Sequence, residues 1–424
     1  MAVRKNTLKI GFDARMVAYR QAGIGQYCLN LLRELAALQT RWDDFALTVY
    51  QSRKEKRLPV QWLAEPGQSR LEQPGVIGKR SLWTPPHHRF EQVALPLEMV
   101  PFGPQVLHSP DFIPPLRRLT WQGGLPRPYA AVITVHDLAF KLFPDLLTAE
   151  SARYYGQIRQ AVHSAERIIA VSESTARDII KELEVPPEKV RVVYEAANPL
   201  YRSLTQAEVA ALAEGEAKTV AGKLAQAGVG PDEVFPLFVS TIEPRKNLQT
   251  LLKAYRAWLD ASPGEVLPKL VIAGRDGWLH EEIYATTAEL RLDDRLVWLG
   301  GVETVELFYL YNRAAFLAVP SLYEGFGLPP LEALACGCPV LVADNSSLPE
   351  VAGEVGRKVP TLDVAAWQTA LAESWQDRAV LKVRAVDEGV RWAGQFSWAK
   401  AAEQTLEVYY EAFGELSHKT DANK

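Results

Sequence analysis

Two series of short apolar runs, separated by segments with helical periodicity, dominate this chain of 424 residues. Strands that alternate with helices form parallel sheets, because each helix carries the chain back to the start of the next strand. The two separate series therefore predict an α/β protein with two doubly wound halves. The predicted strands are residues 8–13, 45–50, 105–108, 130–135, 167–171 and 190–194 in the first half, and residues 237–241, 269–273, 295–299, 314–319 and 339–343 in the second.

The length of the chain also argues for more than one domain, because 424 residues exceed what a single hydrophobic core usually serves. We predict a first domain over residues 1–200, a helical connector over 201–235, a second domain over 236–395 and a terminal helical segment over 396–424. The connector is inferred from an Ala/Glu/Lys-rich stretch without strand signals. The terminal helix is inferred from the amphipathic pattern of residues 398–413.

Charge and cysteine usage exclude several classes of protein. The formal charge is −4 and no sustained basic stripe is present, so we expect no nucleic-acid partner. Three cysteines cannot form a disulfide framework, which favours a reducing, cytoplasmic compartment. We see no signal peptide and no window of the roughly 18 apolar residues that a membrane-spanning helix needs.

The most informative motif is residues 321–340, which follow the predicted strand 314–319 and contain the carboxylates Glu324 and Glu332. Glycines allow a ligand to approach the backbone, and Pro329-Pro330 is typical of a helix start. A helix that begins there directs backbone N–H groups at an anion, although the prolines have none to donate. The amides available for this contact belong to Gly325, Phe326, Gly327, Leu328 and the residues after the prolines.

A pair of cations follows the first strand of the second half. Arg245 and Lys246 stand at the start of a helix predicted over residues 247–259. Positive charge near a helix N-terminus opposes the helix dipole unless an anion neutralises it. We therefore expect a phosphate at this position. Because ligands of α/β sheets bind at the carboxyl ends of strands, both motifs lie where a small-molecule site is expected.

These motifs resemble the signature of retaining GT-B glycosyltransferases of family 4. The resemblance implies two Rossmann-like doubly wound domains that face an interdomain cleft, with the terminal helix crossing back toward the N-terminal domain. It also implies that Arg245 and Lys246 contact the diphosphate of a nucleotide-sugar donor. By the same resemblance, Glu324 meets the sugar, and Glu332 accepts hydrogen bonds from the ribose hydroxyls, as an ionised carboxylate can.

Other residues receive roles from the same resemblance. His136, at the carboxyl end of strand 130–135, matches a histidine that touches the transferred sugar, with Asp137 as its expected orienting neighbour. The glycine-rich loop of residues 21–27 would approach the donor phosphate, and the loop after strand 295–299 would lie near the nucleobase. In the first loop the residues expected to contact the donor are Gly23 and Gly25, and in the second they are Gly300 and Val302.

The expected activity is transfer of a hexose from a nucleoside diphosphate to a glycan or lipid-linked acceptor hydroxyl, with retention of configuration. The sequences of these motifs resemble those of bacterial mannosyl and rhamnosyl transferases of surface polysaccharide synthesis, so GDP-mannose is the favoured donor. We expect no cofactor and no metal, because the chain lacks the Asp-x-Asp motif of metal-dependent sugar transferases. The sequence does not define the acceptor, the linkage or the oligomeric state.

Alternative functions remain open at this stage. A hydrolase would need its two carboxylates roughly 5 to 9.5 Å apart, whereas eight residues along one helix place them about 12 Å apart. A sugar-nucleotide epimerase of the same architecture would act without an acceptor, and a non-catalytic nucleotide-sugar-binding protein would show eroded motifs.

Two basic segments lie outside the predicted strands: residues 79–89, and a cluster of Arg53, Lys54, Lys56 and Arg57. We interpret them either as solvated loops or as a surface that contacts an anionic acceptor or membrane peripherally.

Overall fold

The computed structural model describes residues 7–18, 23–53, 78–85, 90–99, 103–111, 129–143 and 155–421. These residues belong to two compact units. The first unit comprises Met1–Glu195 together with Ser397–Lys424, and the second comprises Ala196–Phe396.

The first unit contains a seven-stranded sheet in the order β3-β2-β1-β4-β5-β6-β7, and every neighbouring pair is parallel. Every residue of β4, β5 and β6 is buried, as expected for strands covered on both faces. The strands are β1 (Leu8–Asp13), β2 (Phe45–Ser52), β3 (Gly78–Leu82), β4 (Val106–Ser109), β5 (Ala130–Val135), β6 (Arg167–Ala170) and β7 (Val190–Val192).

Most of these strands are followed by a helix. The segments between the strands are helical because their apolar residues recur at helical spacing. In α1, Tyr27, Leu31, Leu35 and Leu38 form one buried face. The helix α5 begins at a capped end, where the Ser172 hydroxyl accepts a hydrogen bond from the Thr175 amide at 3.0 Å. Within the described ranges up to residue 195, the helices are α1 (Gly23–Arg41), α2 (Glu91–Met99), α3 (Ala139–Leu142), α4 (Ile158–Ser164) and α5 (Glu173–Leu183).

The second unit contains a six-stranded parallel sheet in the order β10-β9-β8-β11-β12-β13. Here β8 and β11 are neighbours although two strands separate them in sequence, so the strand order reverses between them. Ligands of doubly wound sheets bind beside such a reversal. The strands are β8 (Pro236–Val239), β9 (Leu270–Ala273), β10 (Leu296–Gly300), β11 (Phe316–Val319), β12 (Val340–Ala343) and β13 (Arg357–Val359).

The remaining helices include the long C-terminal one. They are α6 (Gln206–Glu214), α7 (Lys218–Gln226), α8 (Leu248–Ala261), α9 (Glu281–Glu289), α10 (Thr304–Arg313), α11 (Leu328–Ala335), α12 (Leu348–Ala352), α13 (Val364–Gln376), α14 (Arg378–Arg384), α15 (Val390–Ala393) and α16 (Trp398–Asp421). None of the helices in the described ranges combines the length and apolar composition that a bilayer crossing needs.

The helix α16 belongs to the first unit, where it packs against α1, β4, β5 and β6. A buried polar contact joins it to the sheet, because the Tyr409 hydroxyl lies 2.6 Å from Nδ1 of His108 on β4. Two residues further along α16, the Glu411 carboxylate accepts a hydrogen bond from Arg167 of β6 at 2.8 Å. The C-terminal segment is thus held to this sheet by both a buried hydrogen bond and an ion pair.

The predicted α/β class with two Rossmann-like halves is confirmed by the two parallel sheets. Every predicted strand overlaps an observed one, but β3 and β13 were missed. Both lie at the edges of their sheets, where charged side chains such as the exposed Lys79 and Arg80 and the partly exposed Arg357 replace the apolar pattern.

The placement of residues 79–89 outside any strand is therefore wrong for residues 79–82, which belong to β3. The basic residues Lys54, Lys56 and Arg57 lie outside the described residues. Residues 201–235, for which we predicted a helical connector, contain α6 and α7 and belong to the second unit.

Candidate functional site

A cluster of charged side chains lies at the carboxyl edge of the second sheet. Arg245 and Lys246 form a short 3-10 turn after β8, and Glu324 follows β11, the strand beside β8. Nζ of Lys246 lies 2.7 and 2.9 Å from the two carboxylate oxygens of Glu324, and Nη1 of Arg245 lies 3.5 Å from one of them. Nη2 of Arg245 also lies 2.9 Å from Oε1 of Glu243, whose side chain is buried.

This cluster revises the charge argument made from the sequence. The two cations, which were expected to require an external anion, are neutralised by the carboxylates of Glu243 and Glu324. The assignment of Arg245 and Lys246 to a diphosphate therefore stays a prediction, because charge balance alone does not demand it. A ligand phosphate would instead have to compete with Glu324 for the same cations.

The pKa of Glu324 reflects this pairing. Burial opposes ionisation of its carboxyl, but the charges of Lys246 and Arg245 and hydrogen bonds from Lys246 and Ser321 outweigh burial, so the pKa lies below its ordinary value. Glu324 is therefore a carboxylate near neutral pH. As an acceptor-only group, it can bind hydroxyls of a ligand.

The backbone of the loop that carries Glu324 is held by hydrogen bonds to the side chains of three consecutive residues after β12. The Ser347 hydroxyl donates to the carbonyl oxygens of Glu324 and Phe326 at 2.9 and 2.7 Å. The Glu324 amide donates to the Ser346 hydroxyl at 3.0 Å, and the Asn345 amide group donates to the Ser321 carbonyl at 3.0 Å.

The charged turn and the Glu324 loop are also joined to each other. The Arg245 guanidinium donates to the Tyr323 carbonyl at 3.0 Å, and the Leu322 amide donates to the Arg245 carbonyl at 2.8 Å. The Asn247 amide group donates to the Pro320 carbonyl at 2.9 Å. Our sequence reasoning missed Asn247 and the three residues 345–347. They lie in the segments that connect β8 and β12 to the helices that follow, and this position was the signal that could have revealed them.

The second carboxylate, Glu332, lies on α11 and is partly buried. Its Oε2 accepts a hydrogen bond from the Tyr311 hydroxyl at 3.1 Å. Burial raises the pKa of Glu332 to about 7, although the Tyr311 hydrogen bond acts in the opposite direction. Glu332 therefore changes its charge near neutral pH, whereas Glu324 does not.

The glycine-containing turn before α11 has the geometry that its sequence predicts. Gly327 is the residue before α11 and has a φ of 100°, which a residue with a side chain rarely adopts. The helix begins at Leu328, with the prolines in its first turn. Gly325 and Phe326 are buried, so this part of the turn packs into the unit.

The predicted nucleobase loop follows β10. Gly300 is the last residue of this strand, with a φ of 71° and open space where a side chain would stand. Val302 is partly exposed two residues later. Both residues can be approached by a ligand, and their role remains a prediction.

In the first unit, His136 directly follows β5 and both of its ring nitrogens have partners. Nδ1 lies 3.0 Å from Oε1 of Glu195, and Nε2 lies 2.9 Å from the carbonyl oxygen of Pro110. The expected orienting role of Asp137 is wrong, because its carboxylate accepts a hydrogen bond from the Ala139 amide at 2.9 Å. Glu195, which follows β7, takes that place.

Gly23 and Gly25 are in the first turn of α1, rather than in a loop before it. Gly23 is exposed and Gly25 is buried, while residues 21 and 22 of the predicted loop lie outside the described residues. Their approach to a donor phosphate stays a prediction.

Comparisons with known proteins agree with this arrangement. Residues 22–199 match the family model Glycosyltransferase Family 4, and residues 223–381 match the model Glycosyl transferases group 1. The O-antigen chain mannosyltransferase B of Escherichia coli is 29% identical over 411 residues, which span 95% of this chain and 99% of the relative. The D-inositol 3-phosphate glycosyltransferase of Saccharomonospora viridis is 31% identical over 372 residues, or 80% of each chain.

A solved structure shares the fold. HepE of Anabaena, crystallised with UDP and glucose, gives a TM-score of 0.65 at 16% identity and covers 94% of this chain and 98% of its own. Two Rossmann-like units with parallel sheets are the components of the GT-B fold. With both family models matched, the chain belongs to glycosyltransferase family 4.

The ion pair between Lys246 and Glu324 predicts a coupled effect on stability. We expect Lys246→Met to lower the free energy of unfolding at pH 7 by roughly 2–4 kcal/mol, because it leaves Glu324 charged and largely buried. The double variant Lys246→Met/Glu324→Gln should recover at least half of this loss. Lys253→Met, an exposed site on α8, should change stability by less than about 0.5 kcal/mol.

Chemical denaturation would measure these effects. The pKa of Glu324 is depressed in the folded state, so its contribution is present above the unfolded pKa of about 4.3 and is lost as pH falls through the folded value. The defect of Lys246→Met should therefore shrink in acid. Additive losses in the double variant would contradict the pairing.

The raised pKa of Glu332 predicts the opposite dependence on pH. Between about 4.5 and 7, the unfolded chain loses this proton while the folded protein keeps it, so stability falls as pH rises and levels off above 7. Glu332→Gln removes this effect, and we expect it to be more stable than the parent by roughly 1–3 kcal/mol at pH 8 but equal to it near pH 4.5. Glu289→Gln, an exposed site on α9, should show no such trend. A pH-independent difference for Glu332→Gln would contradict the raised pKa.

Proposed function

We propose that the protein is a retaining hexosyltransferase that takes a sugar from a nucleoside diphosphate. The observation that carries this proposal is the cluster of Arg245, Lys246 and Glu324 beside the strand-order reversal of the second sheet. Two cations suit a diphosphate, and the adjacent carboxylate suits sugar hydroxyls.

The cluster suggests that a bound donor replaces an ion pair within the protein. Nζ of Lys246 lies 2.7 Å from the Glu324 carboxylate. A diphosphate that binds Lys246 and Arg245 would weaken this pairing and leave the Glu324 carboxylate able to accept hydrogen bonds from the sugar. The same carboxylate would then serve two partners in turn.

Catalysis in this proposal depends on stabilising the leaving group. As the bond between sugar and phosphate breaks, negative charge grows on the diphosphate, and in this proposal Arg245, Lys246 and the amides of the 325–328 turn stabilise that charge. Attack from the same face of the sugar retains its configuration. We propose that these protein cations carry out the reaction without a metal, and activity that survives EDTA would support this point.

The remaining contacts to the donor follow from the same site. Glu332 would accept hydrogen bonds from ribose hydroxyls, which favour its charged form and so lower its pKa on binding. Gly300 and Val302 would border the base, Gly23 and Gly25 would approach the phosphate, and His136 would contact the transferred sugar.

The favoured donor is GDP-mannose. Support comes from the Escherichia coli relative, an O-antigen chain mannosyltransferase that aligns over 95% of this chain. An acceptor that is a growing glycan or a lipid-linked glycan fits the same likeness. A nucleotide-sugar epimerase or a non-catalytic binding protein is less well supported, since both matched families are glycosyltransferases.

A surface on the first unit supports peripheral membrane contact, which we propose on the cytoplasmic face of the membrane. Trp83 and Leu97 are 69% and 63% exposed. Phe90, which precedes α2, and Val93, which lies on it, are also exposed. The Arg53 guanidinium lies 3.6 Å from the centre of the Trp83 ring, and Lys79 and Arg80 project from β3. Apolar side chains bordered by cations are suited to an anionic lipid surface.

Donor binding can be tested without knowing the acceptor. A thermal-shift panel of GDP, UDP, ADP and dTDP sugars should give its largest shift with GDP-mannose. Arg245→Ala or Lys246→Ala should weaken that binding about 10- to 100-fold, equivalent to roughly 1.4–2.8 kcal/mol, while Lys253→Ala on α8 should not. The stereochemistry of transfer can be tested with water as the acceptor. Slow transfer of mannose to water should release α-mannose first, as NMR of the fresh product would show. Release of β-mannose would contradict retention. Conversion of UDP-N-acetylglucosamine alone would favour an epimerase.

Membrane contact can be tested by flotation with vesicles. The protein should float with phosphatidylglycerol-containing vesicles but not with pure phosphatidylcholine, and Trp83→Ser/Leu97→Ser should reduce the bound fraction at least fivefold. Val380→Ser/Val383→Ser is a matched control, because these exposed apolar residues lie on the second unit. Equal flotation of all variants, or none at all, would contradict the proposal.

A further inference from the structure

The ring of His136 is held between two hydrogen-bond acceptors. The Pro110 carbonyl can only accept, and so can an ionised Glu195, yet they lie 2.9 and 3.0 Å from Nε2 and Nδ1. A neutral imidazole has one N–H and one bare nitrogen, so it would direct a lone pair at an oxygen on one side. Only the imidazolium donates to both partners.

One other distribution of protons would satisfy these contacts. A protonated Glu195 could donate to Nδ1 while Nε2–H donates to Pro110. This arrangement moves the proton from an imidazole to a carboxyl group, whose ordinary pKa is about two units lower. The proton therefore stays on His136.

His108, a second buried histidine in the same unit, gives an internal contrast. Its nitrogens lie 2.6 Å from the Tyr409 hydroxyl and 2.8 Å from the Thr134 hydroxyl. A hydroxyl can donate or accept, so both contacts suit a neutral ring. Burial, with a smaller contribution from the positive charge of His136, lowers the pKa of His108 to about 3.

Several other groups surround His136. The Tyr27 ring of α1 meets it edge to face at 4.8 Å, and the centre of the Trp398 ring of α16 lies 5.8 Å from that of Tyr27. Asp111, which follows β4, adds a second negative charge near the ring.

Both nearby carboxylates favour the charged ring. Burial acts against it, but the hydrogen bond and charge of Glu195 with the contribution of Asp111 outweigh burial and raise the pKa of His136 above its ordinary value.

We propose that Glu195 is a positioning residue that holds His136 as an imidazolium with a fixed ring orientation. An imidazolium donates hydrogen bonds and accepts none, so His136 cannot remove a proton from an acceptor hydroxyl. It can present Nε2–H to an oxygen of the substrate in place of the Pro110 carbonyl. This catalytic consequence rests on the function proposed above, whereas the charge state of the ring does not.

Nitrogen-15 NMR of the histidine-labelled full chain tests the charge state directly, because it reports whether each ring nitrogen carries a proton. The chain has seven histidines, and His136→Gln identifies the signal of interest. We expect both nitrogens of His136 to be protonated at pH 7 and to titrate above 6.5. Glu195→Gln should lower that pKa by at least one unit, and Glu195→Asp should restore part of the shift.

Two controls accompany this measurement. The His108 signal should stay neutral from pH 5 to 9 in all variants. Glu188→Gln, at an exposed carboxylate of the same unit, should leave the His136 titration unchanged. A neutral His136 at pH 7, or a pKa unaffected by Glu195→Gln, would overturn the proposal, provided that circular dichroism shows the variant to be folded.

The consequence for turnover is tested with GDP-mannose hydrolysis as the assay. In the parent protein, kcat should fall as pH rises through the pKa of His136, and in Glu195→Gln this fall should move by at least one pH unit toward acid, with KM changed less than threefold. An unshifted pH profile would refute the catalytic role. Absence of any hydrolysis, with the NMR result intact, would refute the proposed function but leave the charge state standing.

Discussion

The parallel sheets restrict where polar chemistry can lie in this protein. Strands such as β4, β5, β11 and β12 are buried along their whole length, so a charged side chain within them would lose its hydration. Charged groups are instead tolerated in the segments that follow the strands. His136 follows β5 directly, Arg245 and Glu324 lie in the connections after β8 and β11, and residues 345–347 lie in the connection after β12.

A shared electrostatic arrangement occurs at these strand ends. In the second unit, Glu324 is paired with Lys246 and Arg245, and in the first unit Glu195 is paired with His136. Each pair is largely buried, so each charge needs its partner to remain ionised. Internal carboxylates thus keep the cations charged and oriented. A substrate that binds these cations exchanges one anionic or polar partner for another, which limits the cost of desolvation.

Much of the fold could be predicted because apolar runs alternate with helical periodicity along the chain. The two edge strands, β3 and β13, could not, since an edge strand is half solvated and carries charges such as Lys79 and Arg357. The motif residues of the second unit were identifiable for a similar local reason: glycines, prolines and charges after a buried strand have few purely structural explanations. Their partners had no such signal. Glu195 lies 59 residues from His136 in a stretch without a motif.

The sequence by itself determined the α/β class, the division into two sheets and the residues with the potential for chemistry, because these depend on periodicity and on short motifs. Only the tertiary structure decided which charges meet. It paired Lys246 with Glu324, 78 residues away in sequence, and it made Glu195 rather than Asp137 the partner of His136. It also gave His136 two acceptor partners and His108 two hydroxyl partners, which distinguishes a charged histidine from a neutral one. Protonation states and ion pairs depend on distances of a few ångströms between strand ends, and strand order, rather than sequence order, sets those distances.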